Sequence, residues 1–178
     1  QLAASQADVT LVSLNNNPMS LPANVTFRQI LQNYPFDNTL VTKRVTGRAL
    51  RASLEHTADY FILEENGQLA INPAWLQPKV EHYNYDLVYG LQYTFDVTQP
   101  VGQRVTAMRF NGQAVQDEDT LTVAMNSYRA VGGGNYAAYQ QAPTVFSDDR
   151  SVQELLTAYF KTHQQLPTAP QLAFNLKY

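Results

Sequence analysis

Residues 83–97, YNYDLVYGLQYTFDV, carry the pattern that decides the fold. Every odd position from Tyr83 to Val97 holds an aromatic or aliphatic side chain. The even positions hold mostly polar side chains, with Val88 and Gly90 as exceptions. Alternation with a period of two is typical of a strand, in which successive side chains point to opposite faces. The stretch therefore predicts one long, half-buried β-strand whose odd-numbered face lies against the core.

Shorter strands are predicted on both sides of this stretch, where β-branched and apolar residues cluster. Asn111-Gly112 is a typical hairpin turn, and it indicates that the strands on its two sides are antiparallel neighbours. The six further strands are predicted at residues 8–14, 38–45, 104–110, 114–115, 120–125 and 171–178.

Three helices are predicted, two of them from capping boxes in which Thr or Ser precedes Gln or Glu by three residues. These two helices cover residues 26–34 and 151–163, and a third begins at Thr46-Gly47. Because helices bracket a run of strands joined by hairpins, the order favours an α+β domain with largely antiparallel pairing. The buried stripe of the third helix is expected to consist of Leu50, Leu54, Ala58 and Phe61.

Composition limits the partners of this chain. Its 178 residues suit one domain, and its net charge of −3 gives no basic surface for a nucleic-acid polymer, whereas a single nucleotide needs none. The chain has no cysteine, which excludes disulfides and thiolate metal sites and fits an exported bacterial protein. No stretch approaches the ~18 apolar residues of a membrane span. Because the sequence starts at Gln1, we expect it to be a piece of a longer polypeptide.

The sequence offers no catalytic or metal-binding motif. Its three histidines, His56, His82 and His163, are scattered, and the carboxylates are dispersed without the spacing of a calcium loop. No G-x-S-x-G motif marks a nucleophilic serine. We therefore expect no catalytic residue and no metal ligand within this chain.

Two distant segments combine aromatic rings with residues that break regular structure: YPFDN at 34–38 and NSYRAVGGGNY at 126–136. A ring on a rigid turn can stack on a planar base, which is worth about 1–3 kcal/mol per base. Two such turns can close on a base from both sides. For Phe36 and Tyr128 the alternative is packing of the ring into the core, and the residues alone leave both interpretations open.

The second segment also contains three glycines and an arginine. Gly132, Gly133 and Gly134 match neither a Walker loop nor G-x-G-x-x-G, so they do not by themselves predict a phosphate site. Arg129 could contact a phosphate, or it could bind carbonyls and carboxylates near the end of the preceding strand. Ligand sites favour such turns at strand ends.

These segments and their order resemble the 5′-nucleotidase C-terminal domain family, over roughly residues 8–160. The resemblance implies a layered α/β/β/α domain with mixed or mostly antiparallel sheets. Within the family, the forms of the two aromatic segments look most like those of 2′,3′-cyclic-nucleotide 2′-phosphodiesterase/3′-nucleotidases. The motifs that carry the likeness are residues 34–40, 45–47, 54–56, 83–96, 100–105, 110–112 and 126–136.

The resemblance also implies a division of labour between two domains. A separate N-terminal metallophosphoesterase domain holds two divalent metal ions and the catalytic histidine, while the C-terminal domain clamps the nucleobase between two rings. Those rings fall on Phe36 and Tyr128 here, and Asn38 matches an asparagine that can bind the base. The expected partners are thus nucleotides or nucleosides and the N-terminal domain of the same polypeptide. The expected substrate-binding set is completed by Asn16, Gly132, Gly133 and Gly134.

Two departures from the family pattern bear on the substrate. Relatives that hydrolyse 5′-nucleotides carry Gly-Gly-Asp after the second ring, where this chain has Gly134, and a phosphate-binding arginine in a loop that matches residues 13–18 here. Both losses fit a 2′,3′-cyclic or 3′-nucleotide, whose ribose has no free diol. The alternatives are the C-terminal domain of a 5′-nucleotidase or nucleotide-sugar hydrolase, and a non-catalytic surface module that stacks sugar rings. We expect the parent protein to be extracellular, cell-wall-associated or periplasmic.

Overall fold

The computed structural model describes residues 1–163 and 173–178, which form six α-helices and eleven β-strands. The helices are α1 Leu2–Ser5, α2 Phe27–Asn33, α3 Gly47–Ala58, α4 Ser127–Ala130, α5 Ala137–Gln140 and α6 Val152–Thr162. The first five strands are β1 Val9–Ser13, β2 Thr39–Thr46, β3 Phe61–Leu63, β4 Leu69–Ile71 and β5 Asp86–Tyr89. The other six are β6 Gln92–Asp96, β7 Val105–Phe110, β8 Gln113–Ala114, β9 Thr120–Asn126, β10 Thr144–Ser151 and β11 Ala173–Lys177.

The strands form two mixed sheets and one hairpin. The larger sheet has the order β10-β2-β9-β1-β5, in which only β1 and β9 are parallel. The second sheet has the order β11-β6-β7-β8, in which only β11 and β6 are parallel. β3 and β4 form the hairpin. This is the α+β class with mixed, mostly antiparallel sheets that the sequence predicts.

Helix α3 contacts strands of both larger sheets, β2 and β7. Its Leu50, Leu54 and Ala58 are buried in the main core, which confirms most of the predicted stripe. The prediction is wrong at Phe61, because the helix ends at Ala58 and Phe61 begins β3. There Phe61 pairs with Ile71 across the hairpin, so strand pairing replaces the next helical turn.

The long strand predicted at residues 83–97 is also wrong, because the stretch forms two strands in different sheets. The break lies at Gly90, whose φ of +91° is accessible to glycine and costly for other residues. Before the break both faces are covered, since the even-numbered Asp86 and Val88 and the odd-numbered Tyr85 are all buried, whereas Tyr89 is 40% exposed. After the break the predicted face is correct, and Tyr93 is buried.

The other predicted elements are confirmed within one or two residues at most bounds. Both capping boxes are present, with the Thr26 and Ser151 side chains accepting from the third helical N–H. Part of the predicted last strand, residues 171–172, lies outside the described residues. The edge strand β10 was not predicted, because its sequence TVFSDDRS is polar and its side chains are largely exposed. In the described part of the chain, no helix is long and apolar enough to cross a membrane.

Candidate functional site

A cavity of about 310 Å³ opens beyond the ends of the central strands of the five-stranded sheet. The carboxyl ends of the parallel strands β1 and β9 meet there, next to the start of the antiparallel strand β2. This volume is within the range of small-molecule sites. We call it the aromatic cleft, lined by Ser13, Leu14, Asn15, Asn33, Tyr34, Phe36, Asn38, Tyr83, Asn126 and Tyr128.

The two predicted base-stacking rings both line this cleft. Phe36 comes from the corner between α2 and β2 and is 43% exposed, while Tyr128 comes from α4 and is 42% exposed. Tyr34 and Tyr83 pack against Phe36 with ring centroids 6.0 and 6.3 Å away. Because both rings remain open to solvent, neither has the buried core position that was the alternative interpretation.

The glycine turn supports Tyr128 from outside the cleft. A Cβ atom on Gly133 would lie 2.6 Å from ring atoms of Tyr128, so only glycine lets the backbone approach the ring this closely. Gly134 packs against the side chains of Asn84 and Arg129. Gly132, Gly133 and Gly134 are all absent from the lining of the aromatic cleft. The three predicted glycines therefore lie outside the cleft lining, with Gly133 directly against the ring of Tyr128.

Beneath this wall lies a buried ion pair between Arg129 and Asp86. The guanidinium donates from Nε to Oδ2 at 2.7 Å and from Nη2 to Oδ1 at 2.9 Å, and the two side chains are 1% and 2% exposed. Arg129 also donates to Ser13 Oγ and to the carbonyl oxygen of Tyr83, both at 3.3 Å, and to the carbonyl oxygen of Gly133. Arg129 thus binds local carboxylate and carbonyl groups, the second of the two roles left open by the sequence.

The pKa values of the pair show two opposing effects. Burial raises the pKa of Asp86, and the charge of Arg129 only partly opposes this rise. Burial lowers the pKa of Arg129, but the charge and hydrogen bonds of Asp86, together with Tyr136 and Tyr139, outweigh this effect, so that the pKa is raised. Arg129 therefore stays charged and acts as a fixed donor fork behind the cleft.

The polar edge of the cleft comes from Tyr34, Asn38 and Asn126. Burial raises the pKa of the Tyr34 hydroxyl, and the nearby amides of Asn38 and Asn126 oppose that rise. The hydroxyl is buried, but within the described residues no contact to it has the geometry of a formed hydrogen bond. Asn38 lies in the lining of the cleft.

Asn16, in contrast, is not in the lining of the cleft. Its Nδ2 donates to the carbonyl oxygen of Val80 at 2.9 Å, and its Oδ1 accepts from the N–H of Tyr83 at 3.3 Å. It therefore holds the segment that carries Tyr83. The predicted site residues did not include the other lining residues, Ser13, Leu14, Asn15, Asn33, Tyr34, Tyr83 and Asn126. Ser13, Leu14 and Asn126 could have been predicted, because they lie at the ends of the strands predicted at residues 8–14 and 120–125.

An α+β domain with a ligand-sized cleft, walled by exposed aromatic rings and edged by amides, is a domain suited to bind a planar ring compound. The family model for the 5′-nucleotidase C-terminal domain matches residues 1–141. The chain belongs to this family.

The chain is similar in sequence to two bacterial enzymes that carry the same name. It is 32% identical over 138 residues to the 2′,3′-cyclic-nucleotide 2′-phosphodiesterase/3′-nucleotidase of Salmonella typhimurium, covering 66% of this chain and 21% of that protein. It is 26% identical over 176 residues to the Yersinia enterocolitica protein of the same name, covering 85% and 26%. The chain thus spans about a quarter of the length of these relatives.

A crystal structure of a Staphylococcus aureus protein assigned as a 5′-nucleotidase, in complex with alpha-ketoglutarate, is also similar. It superposes with a TM-score of 0.94 at 34% identity, over 99% of this chain and 34% of that one. A 5′-nucleotidase precursor from Thermus thermophilus has the same fold, with a TM-score of 0.74 at 21% identity, over 99% of this chain and 32% of the other.

Proposed function

We propose that this chain is the nucleotide-recognition domain of a metal-dependent phosphoesterase acting on 2′,3′-cyclic and 3′-nucleotides. Phe36 and Tyr128 hold the nucleobase between their rings, and Asn38 forms a hydrogen bond with the edge of the base. The observation that carries this proposal is that both rings, 43% and 42% exposed, line one cavity of about 310 Å³. Exposed aromatic rings are common on this surface, but two of them lining one ligand-sized cavity is the arrangement that a planar ligand needs.

Bond cleavage in the parent polypeptide is assigned to an N-terminal metallophosphoesterase domain, where two divalent metal ions activate the attacking water. Within residues 1–163 and 173–178, no three His, Asp or Glu side chains are placed to hold a metal ion. In this proposal Phe36 and Tyr128 contribute binding and orientation, which place the phosphate relative to that domain. We expect the isolated chain to bind nucleosides and to hydrolyse no phosphoester.

The proposal of a 3′ or cyclic substrate is supported by the names of the relatives and by two features of the sequence. Gly134 provides no carboxylate for a ribose diol, and residues 13–18 contain no arginine for a 5′-phosphate. The nearby Arg129 is 1% exposed and is occupied by Asp86, so it cannot substitute for that arginine. We also propose that the parent acts outside the cytoplasm, since a cysteine-free chain suits that environment.

Calorimetry on the chain tests the binding role directly, with adenosine as the ligand. Phe36→Ala and Tyr128→Ala should each weaken adenosine binding about tenfold or more, because each removes one stacking surface. Matched controls are Phe146→Ala and Tyr89→Ala, since these rings are 36% and 40% exposed and lie away from the cleft. Equal losses in controls and cleft variants would contradict the proposal, and so would binding of simple oligosaccharides in place of adenosine.

The position of the phosphate is tested on the full-length parent, by comparing hydrolysis of 2′,3′-cyclic AMP, 3′-AMP and 5′-AMP. The name of the Staphylococcus aureus relative favours the alternative, a 5′-nucleotidase. Preference for the cyclic and 3′ substrates is the expected result. Faster hydrolysis of 5′-AMP would leave the recognition role intact and replace the proposed substrate.

A further inference from the structure

Asn126 takes part in two features of the structure, a helix cap and the aromatic cleft. It is the last residue of β9 and the N-cap of α4, and its side chain also lines the aromatic cleft. Its Oδ1 accepts from the backbone N–H of Arg129 at 2.8 Å. Since a backbone N–H can only donate, the atom that faces it must be the amide oxygen. The cap therefore fixes which end of this carboxamide is which.

The Nδ2 group of Asn126 consequently points away from the cap. A polar neighbour of the Asn126 side chain is the Tyr34 hydroxyl. Burial raises the pKa of Tyr34, and the Asn126 amide opposes this rise. An amide nitrogen carries two hydrogens, and the Tyr34 oxygen can take only one of them. Among the described residues, no formed hydrogen bond occupies Nδ2, so at least one N–H remains for a ligand in the cleft.

We propose that Asn126 is a specificity-determining residue, whose Nδ2 donates a hydrogen bond to an unprotonated ring nitrogen of the base held between Phe36 and Tyr128. This inference rests on the proposed function and deepens it. It defines the preferred ligands as bases that present an acceptor nitrogen at the edge of the ring facing Asn126. The capping bond keeps the donor in place before the ligand arrives, so its reorientation costs nothing on binding.

Two substitutions separate this role from the structural role of the cap. Asn126→Asp is nearly isosteric and keeps the capping oxygen, but it replaces the donor with an acceptor. Asn126→Ser also keeps a good N-cap and removes the amide from the cleft. Both variants should unfold at nearly the wild-type urea concentration. A residue that only caps the helix would leave ligand affinity unchanged in both.

The ligand series consists of adenosine and its 1-deaza, 3-deaza and 7-deaza analogues, each of which replaces one ring nitrogen with C–H. We expect one analogue to bind the wild-type chain about tenfold more weakly than adenosine, as for one lost hydrogen bond. That difference should disappear in Asn126→Ser, and it should disappear or reverse in Asn126→Asp, in which two acceptors would face each other. A loss due to Asn38 would persist in both variants, so the disappearance is specific to Asn126.

The outcomes distinguish this inference from the proposed function. Suppose that adenosine binds and Tyr128→Ala weakens this binding as expected, but all three analogues show the same affinity ratios to adenosine in wild type and in the Asn126 variants. The recognition role then stands, and the inference is wrong. If the wild-type chain binds no nucleoside, the proposed function falls and this inference falls with it.

Discussion

The buried pair of Asp86 and Arg129 gives the sharpest prediction of stability. Arg129→Met removes two charge-assisted hydrogen bonds, at 2.7 and 2.9 Å, and leaves a carboxylate that is 2% exposed without its counter-charge. Each such bond contributes about 1.5–3 kcal/mol, and breaking a buried pair costs about 3–5 kcal/mol. We expect the free energy of unfolding to fall by about 3–5 kcal/mol.

Urea unfolding of four proteins tests this value: wild type, Asp86→Leu, Arg129→Met and the double variant. Burial raises the pKa of Asp86 even beside Arg129, so the attraction between the two charges does not fully offset the free energy lost by removing them from water. Replacing both groups with apolar side chains should therefore cost less than replacing either one. We expect a coupling energy of at least about 2 kcal/mol between the two sites.

The same pair should also control the cleft, because Arg129 holds Ser13 and the backbone of Tyr83 from behind. Adenosine affinity, measured well below the unfolding midpoint, should fall about fivefold or more in Arg129→Met. The matched control is Arg104→Met, since Arg104 is 7% exposed and its guanidinium binds only backbone carbonyls in the described structure. A coupling energy near zero, or equal loss of affinity in the control, would refute this reasoning.

Two further predictions concern buried tyrosines. Tyr34→Phe should leave the free energy of unfolding unchanged or raise it by up to about 1 kcal/mol. The reason is that the hydroxyl is buried and forms no hydrogen bond within the described residues. A decrease of more than about 1 kcal/mol in urea unfolding would contradict this prediction. Burial also raises the pKa of several tyrosines, that of Tyr93 to about 12. The stabilisation of the fold by these neutral tyrosines is complete below the unfolded pKa of about 10 and is lost as the pH rises toward 12. Urea midpoints should therefore fall between about pH 9 and pH 11. Constant midpoints would show that these side chains ionise as easily in the folded chain as in the unfolded one.

The elements that could be predicted are those whose signals are local. Both capping boxes lie within four residues of sequence, and the helices they open begin where expected. The strands β1, β2, β7 and β9 are runs of β-branched and apolar residues, and they were found within one or two residues of their predicted bounds. Local signals also located the two aromatic turns, since proline and glycine mark them directly.

The features that could not be predicted depend on contacts between distant residues. The edge strand β10 is polar, and its pairing with β2 joins residues about 100 positions apart. The amides at the edge of the cleft had no individual signal, because asparagine is common in turns for reasons unrelated to ligands. The role of Asn126 in particular emerges only when the capping bond and the cleft are seen together.

The wrong strand prediction and the architecture of the cleft have a common cause. At Gly90 the chain leaves the five-stranded sheet for the four-stranded one. Before the break both faces of the chain are covered: the even-numbered Asp86 is buried against Arg129 of α4, and the odd-numbered Tyr85 is buried in a second core cluster with Tyr60 and Trp75. A single half-buried strand, as the alternation predicts, would leave its even-numbered face open to solvent, so that Asp86 would be exposed and Arg129 would be buried without a counter-charge. Covering both faces before Gly90 is therefore what permits a buried ion pair to hold the aromatic wall from behind.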